Sequence, residues 1–168
     1  MFTEVLHYAI GPSSLGWVLV ARSEDGLCSL MIDDDEDALR AELQSRFPKA
    51  DLTEDADGLA AMVSSVVQLI DAPDTAWGGA LDLRGTAFQR SVWQALMTVR
   101  AGETLTYSEL AQRVGKPKAV RAVAAACGAN HVAVIVPCHR IVGKNGSLTG
   151  YRWGVERKAA LLQREAVL

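Results

Sequence analysis

Pro137-Cys138-His139-Arg140 sets a thiol, an imidazole and a guanidinium in successive positions. The thiolate is the nucleophilic form of cysteine, and a neighbouring imidazole with cationic groups lowers its pKa from about 8.5 towards neutrality. The apolar run Val132-Ala133-Val134-Ile135-Val136 before the motif reads as a buried strand that brings Cys138 to an edge. Gly143-Lys144-Asn145-Gly146 after it reads as a turn. Adjacent side chains of an extended strand point to opposite faces, which argues against a direct Cys138–His139 contact. On spacing alone, two readings stand side by side: an activated thiol, and a small buried hydrophobe, the usual fate of a lone cysteine.

The other chemistry-bearing residues offer less. Cys28 and His7 fall in the N-terminal strands without partners at metal-binding spacing and read as structural. Cys127 is surrounded by alanines and has no activating neighbour, so a second nucleophile there is not expected. Three widely spaced cysteines make no disulfide framework, and no Cys-x-x-Cys or His-x-x-x-His pair offers a metal site. No metal or cofactor is expected, and the compartment should be the reducing cytoplasm. Met1-Phe2-Thr3-Glu4 lacks the basic start and apolar stretch of a signal peptide, and no apolar run approaches roughly 18 residues, which excludes a membrane-spanning helix.

Elements must position the motif. With 168 residues, 49% of them hydrophobic, the chain can fill one large core or two small ones. Glu4–Ile10, Gly16–Ala21 and Leu27–Ile32 read as a small antiparallel meander broken at Gly11-Pro12-Ser13-Ser14 and Ser23-Glu24-Asp25-Gly26. Asp33-Asp34-Asp35-Glu36 precedes Ala38, Leu39, Leu43 and Phe47, a helix whose start the acidic run favours. A second helix spans Leu59–Ile70, a turn-rich stretch runs from Pro73 to Gly79, and Leu81-Asp82-Leu83 reads as a short strand. The character changes at Arg84-Gly85, where a domain boundary is expected between residues 1–84 and 85–168.

The second part reads as mainly helical. Thr86 caps a helix bearing Phe88, Val92, Trp93, Leu96 and Met97. Thr106-Tyr107-Ser108-Glu109 is a capping box that opens a short helix ended by Gly115, and a further helix runs from about Pro117 to Ala126. Two short helices joined by a glycine turn form a helix-turn-helix pattern. The second of them is unusual for a base reader, since it offers alanines, Arg121 and the lysines Lys116 and Lys118 instead of a set of Asn, Gln or Glu side chains. Small residues such as Ala119 and Ala122 let the backbone approach DNA, while Lys118 and the helix start attract phosphates. Duplex DNA bound with little sequence preference is the expected partner. Charge agrees: residues 1–85 carry 5 Lys+Arg against 16 Asp+Glu, net −11, and residues 86–168 carry 12 against 4, net +8.

The ordered series Arg84-Gly85-Thr86-x-Phe88-Gln89, Thr106-Tyr107-x-x-Leu110-Ala111, Lys116 through Val123, Asn130, Pro137-Cys138-His139-Arg140 and Gly150-Tyr151-Arg152-Trp153-Gly154 resembles the O6-alkylguanine-DNA alkyltransferases. The likeness extends over essentially the whole chain, and the Gly-Tyr-Arg-Trp-Gly form is nearest to the methyltransferase portion of the family's bifunctional adaptive-response regulators. The resemblance implies an α/β N-terminal domain of ribonuclease-H-like fold, with a small antiparallel sheet and helices, followed by a mainly α winged helix-turn-helix methyltransferase domain. It implies irreversible, single-turnover transfer of the alkyl group of O6-methylguanine, and with it O4-methylthymine, to Cys138 after the base is flipped from the duplex. No small-molecule methyl donor is used, and a monomer is expected.

The resemblance also assigns roles. Cys138 is the acceptor. A water relays between its thiol and His139, and Glu165 holds the other side of the imidazole. Tyr107 donates a proton or hydrogen bond to the departing guanine ring, Asn130 braces the turn before the active-site motif, and Arg121 fills the gap left by the extruded base. Lys118, Ala119 and Ala122 belong to the DNA-facing helix, and Tyr107, Cys127, Ile141, Tyr151 and Arg152 to the substrate pocket. Trp93 and Trp153 read as packing. The chain has no counterpart of the four-cysteine metal-binding domain of the bifunctional regulators, so it is expected to be either an isolated C-terminal portion or a stand-alone repair protein. A non-catalytic damage sensor on the same scaffold is the alternative from another class, and Cys138 argues against it. A Cys-His hydrolase lacks an evident oxyanion hole.

Overall fold

The computed structural model describes residues 3–73 and 75–166. Three strands, β1 (Val5–Ser13), β2 (Gly16–Arg22) and β3 (Leu27–Asp33), form an antiparallel meander. Helix α1 (Glu36–Arg46) follows, then β4 (Asp51–Glu54) and α2 (Ala60–Asp71). The sheet order is β3-β2-β1-β4, and β4 runs parallel to β1. The expected antiparallel sheet is therefore mixed. Asp51-Leu52-Thr53-Glu54 carries little apolar signal because the strand lies largely exposed at the sheet edge. Its backbone is recruited by Asp51 N–H donating to the Glu4 carbonyl at 2.8 Å and Asp55 N–H to the Tyr8 carbonyl at 2.8 Å.

Local chemistry sets the helix starts. The Asp35 carboxylate accepts from Asp37 N–H at 2.9 Å at the head of α1, whose Leu39 and Leu43 are buried. In the second part, α3 (Ala87–Leu96) opens on a reciprocal Thr86–Gln89 capping box. Helix α4 (Tyr107–Val114) opens on a Thr106–Glu109 box and closes on Gly115 at φ 86°. Helix α5 (Val120–Gly128) begins three residues later than the sequence pattern suggests. Lys116 to Ala119 first close a turn, with Ala119 N–H donating to the Lys116 carbonyl at 2.9 Å. Short parallel strands β5 (Leu105–Thr106) and β6 (Ile141–Val142) pair beside α4, and α6 (Val155–Ala166) ends the described chain.

Leu81-Asp82-Leu83 does not form a strand. Leu81 makes one bridge to Leu27, with Leu27 N–H donating to the Ala80 carbonyl and Asp82 N–H to the Leu27 carbonyl. Nor is Val132–Val136 a strand. Val132 makes one parallel bridge to Leu30 on the outer edge of β3, after which the chain turns, with Val134 at φ 71°. That is a constrained conformation for a β-branched residue. The run is apolar because it is buried, and its backbone is satisfied by its own turns: Val136 N–H to the Val132 carbonyl at 3.1 Å and Ile135 N–H to the Ala133 carbonyl at 2.8 Å. Together the two bridges cover the free edge of β3, and the one from Val132 fastens the second half to the first.

One continuous apolar core links the halves. Val18, Leu19, Leu30 and Ile32 of the sheet meet Leu39 and Leu43 of α1, Val66 and Ile70 of α2, and Trp93, Leu110, Val123 and Leu161 beyond. Trp93 Nε1–H donates to the Ala126 carbonyl at 2.9 Å and so fixes α3 against α5. Among the described residues no helix is long and apolar enough to cross a membrane.

Candidate active site

Cys138 opens a single 3-10 turn, Cys138–Arg140, not the end of a strand. Its half-buried thiol faces a cleft of about 340 Å³ lined by Tyr107, Ala124, Cys127, Gly128, Gly150, Tyr151 and Arg152. Asn130, at the exit of α5, spans the segment that leads to the thiol. Its Oδ1 accepts from Val132 N–H at 2.8 Å, and its Nδ2 donates to the Val136 carbonyl at 2.8 Å and to Cys138 Sγ at 3.3 Å. Burial raises the thiol pKa, and the Asn130 hydrogen bond and the Lys158 ammonium oppose that rise.

The 3-10 turn buries the next two side chains behind the thiol. His139 is fully buried, with Nε2 2.6 Å from Glu165 Oε1, while its Nδ1 is buried without a hydrogen-bond partner among the described residues. Glu165, in the last turn of α6, also takes the Arg140 fork: Nε lies 3.0 Å from each carboxylate oxygen and Nη2 2.9 Å from Oε1. Arg140 Nη1 donates to the Val99 carbonyl at 2.6 Å. Burial pushes Glu165 up, but hydrogen bonds from His139 and Arg140 outweigh it and hold the carboxyl below its usual range. Burial pushes His139 down against the pull of Glu165, so the ring is neutral, with Nε2–H given to the carboxylate and Nδ1 left as an acceptor.

Two buried charged side chains near the site carry no role in the sequence reading: Arg140 and Lys158. Arg140 ends the Pro137–Arg140 motif, where its position alone gives it no role. Lys158 is fully buried, and its Nζ donates to the carbonyls of Thr149 at 3.0 Å and Gly150 at 3.4 Å in the strand-free loop before Tyr151. A signal existed for Lys158: it stands three residues before Leu161 and seven before Glu165, on one face of α6. Burial lowers its pKa, which the two cleft cysteines oppose.

The remaining expected residues divide. Tyr107 and Tyr151 line the cleft, and burial raises both phenols, so each keeps its proton. The Tyr151 hydroxyl has no hydrogen-bond partner among the described residues. Cys127 also lines the cleft, but burial and the neighbouring Cys138 push it up to about 12, which leaves it a poor nucleophile. Ile141 does not line it: in β6 its side chain is fully buried in the core, opposite Leu105. The alternation of a strand sends Ile141 inward even though it lies three residues from the thiol. Arg121 and Ala122 are exposed on α5 beside exposed Lys118 and half-buried Ala119. Arg121 has no ion-pair partner among the described residues. Trp93 and Trp153 are buried. Among the described residues no group of three or more His, Cys, Asp or Glu side chains lies close enough to hold a metal ion.

Residues 87–167 match the family model described as 6-O-methylguanine DNA methyltransferase, DNA binding domain. The chain is 51% identical over 161 residues to the Escherichia coli bifunctional transcriptional activator/DNA repair enzyme Ada, an alignment covering 96% of this chain and 46% of Ada. It thus spans about half the length of that relative. It is 46% identical over 122 residues to the inducible methylated-DNA–protein-cysteine methyltransferase of Bacillus subtilis, covering 73% of this chain and 68% of that protein. Mycobacterium tuberculosis OGT, solved in complex with DNA, superposes with a TM-score of 0.79 at 37% identity, covering 96% of this chain and 93% of that one. With such identity held across most of two whole relatives, and the match to the family model embracing Cys138, His139 and α6, the chain belongs to the O6-methylguanine-DNA methyltransferase family.

Proposed function

We propose that the protein removes the alkyl group from O6-methylguanine in duplex DNA by transferring it, once per molecule, to Cys138 Sγ. The observation that carries this reading is a half-buried thiol facing a cleft, with a buried His139–Glu165 pair directly behind it. In the step, the S–CH3 bond forms as the O6–CH3 bond breaks. The bonding pair stays on O6, and the departing ring is met by the Tyr107 proton. The thiol proton passes through a water to His139 Nδ1, and Glu165 steadies the imidazolium that results. The thioether product has no easy hydrolytic exit, so Cys138 is spent. O4-methylthymine fits the same chemistry.

Guanine O6 cannot reach a cleft while stacked and paired, so the base must be extruded. Arg121 fills the vacated stack, a role supported by its exposure on α5 near exposed Lys118 and Ala122 and half-buried Ala119. In this reading α4 and α5, with the adjoining β5–β6 pair, act as a winged helix-turn-helix domain of residues 85–168. Residues 1–84 form a ribonuclease-H-like domain whose negative charge leaves DNA contact to the other half. A cytoplasmic monomer that binds duplex DNA with little sequence preference completes the proposal.

Incubation with duplex DNA bearing O6-methylguanine, followed by intact mass, tests it. One added methyl group, abolished in Cys138→Ser, is the expected result, and an unmodified wild-type protein refutes the reading. Arg121→Ala should slow reaction with duplex more than reaction with the free methylated base. Equal slowing of both would remove the extrusion role.

A further inference from the structure

Glu42, on α1, stands outside the cleft, yet it connects to Arg152 in the lining and, through Arg46, to the segment that leads to Cys138. Its Oε1 accepts from Arg46 Nε at 3.1 Å and also pairs with Arg152 Nη2. Arg152 belongs to the loop that lines the cleft beside Tyr151. The guanidinium carbons of Arg46 and Arg152 each lie 5.4 Å from the centroid of the Trp153 ring. From the other end of the same fork, Arg46 Nη1 reaches the His131 carbonyl at 3.5 Å, at the start of the segment that runs to Cys138. That carbonyl also accepts from Leu30 N–H of β3 at 2.9 Å. A second tie holds the same loop: Arg157 Nη1 donates to the Trp153 carbonyl at 2.9 Å and its Nε to the Leu15 carbonyl at 2.7 Å.

The carboxylate therefore bridges two guanidiniums gathered around one indole ring and offsets one of their two positive charges. Arg46 has only 5% of its side chain exposed, against 40% for Arg152. Without the negative charge, the two cations repel, and Arg152 is the one free to leave for solvent. Its departure would release the backbone of Arg152 and Tyr151, which forms one lip of the cleft.

We propose that Glu42 is a positioning residue for alkyl transfer: from the first half of the chain, it holds the Tyr151–Arg152 lip in the geometry that receives the base. The proposal rests on the reading of Cys138 as alkyl acceptor. It gives the N-terminal half a part in the reaction beyond sharing the apolar core with the second half. Glu42 touches neither the thiol nor the substrate, so its effect must appear in the transfer step and not in DNA affinity.

Single-turnover kinetics on O6-methylguanine duplex, with protein concentration varied, separates DNA affinity from the transfer rate within the complex. Alkylation of Cys138 by iodoacetamide, read by intact mass, reports the thiol without DNA. Glu42→Gln should lower the transfer rate by about tenfold to a hundredfold, the scale of a misplacement near 1 Å. DNA affinity and iodoacetamide reactivity should stay close to wild type, and Glu42→Asp should recover much of the rate. Arg152→Met, which leaves the Glu42–Arg46 pair intact, should reproduce the loss and keeps the test decisive if Glu42→Gln folds poorly. An unchanged transfer rate in Arg152→Met overturns the proposal. So does a loss confined to DNA affinity, which would make Arg152 a phosphate contact. A wild-type protein that accepts iodoacetamide but no methyl group from DNA would instead refute the alkyl-acceptor reading itself.

Discussion

Replacing Asn130 by alanine tests how the thiol is held. Asn130 is buried and makes three side-chain hydrogen bonds, to Val132 N–H, the Val136 carbonyl and Cys138 Sγ. The losses are unequal. Val132 N–H is left without its acceptor in a fully buried setting, which costs ~1–3 kcal/mol. The Val136 carbonyl keeps the Cys138 N–H at 2.8 Å, so its loss is the net worth of one hydrogen bond, ~0.5–1.5 kcal/mol. The sum, about 1.5–4.5 kcal/mol, is a large part of the ~5–15 kcal/mol that a domain commands. The third bond acts on reactivity: donation from Nδ2 favours the thiolate, so its removal raises the Cys138 pKa further. Urea unfolding should show the lower midpoint with an unchanged slope. The pH profile of iodoacetamide alkylation at Cys138 should move to higher pH. A stability loss below 1 kcal/mol by the ~1–3 kcal/mol scale of a buried orphan, together with an unmoved profile, would refute the account.

Lys158 and His131 give two further tests. Lys158→Met removes the ammonium that favours the Cys138 thiolate and frees the Thr149 and Gly150 carbonyls, so iodoacetamide alkylation at fixed pH should slow, and a wild-type rate would count against the electrostatic role. Burial, reinforced by Arg46 and Arg152, pushes His131 down to about 4. A folded pKa below the unfolded ~6.5 means that the unfolded chain binds more protons, so this stability is complete above about pH 6.5 and is lost as pH falls towards 4. Because the ring is partly solvent-screened, the contribution should be about 1–2 kcal/mol and not the full shift. His131→Gln should flatten urea midpoints between pH 7.5 and 5 by roughly that amount, and an unaltered slope would oppose it.

How legible the molecule is depends on what a residue type signals. Capping boxes are local, so Thr86 and Thr106 announced α3 and α4 correctly. β4 was invisible because its polar residues join the sheet through backbone alone. Val132–Val136 misled for the opposite reason: apolar content reports burial, and burial does not require a strand when a neighbouring asparagine can satisfy the backbone. The expectation that Cys138 and His139 do not face each other rested on strand geometry. The turn that replaces the strand instead sends His139 into the interior towards Glu165. Glu165 and Cys138 were legible through motif and resemblance. Arg140, Lys158 and Glu42 were not, since a charged side chain gives no sign of burial until its partners, 25, 9 and 110 residues away, are in place.

Arg140 explains why the buried carboxylate does not defeat the histidine. A lone Glu165 beside His139 would favour the imidazolium at rest, leaving no acceptor for the thiol proton. Arg140 satisfies the carboxylate with three contacts and adds a positive charge near the ring, and both effects keep His139 neutral. The thiol is held neutral as well, since burial outweighs Asn130 and Lys158. Neither partner is ionised before substrate arrives, so a resting thiolate is not offered to every passing electrophile. Once an alkyl carbon lies against Sγ, proton loss and bond formation can proceed together. Glu165 is then already placed at 2.6 Å to accept the charged ring. Under the proposed single transfer, low reactivity at rest conserves the protein for its substrate.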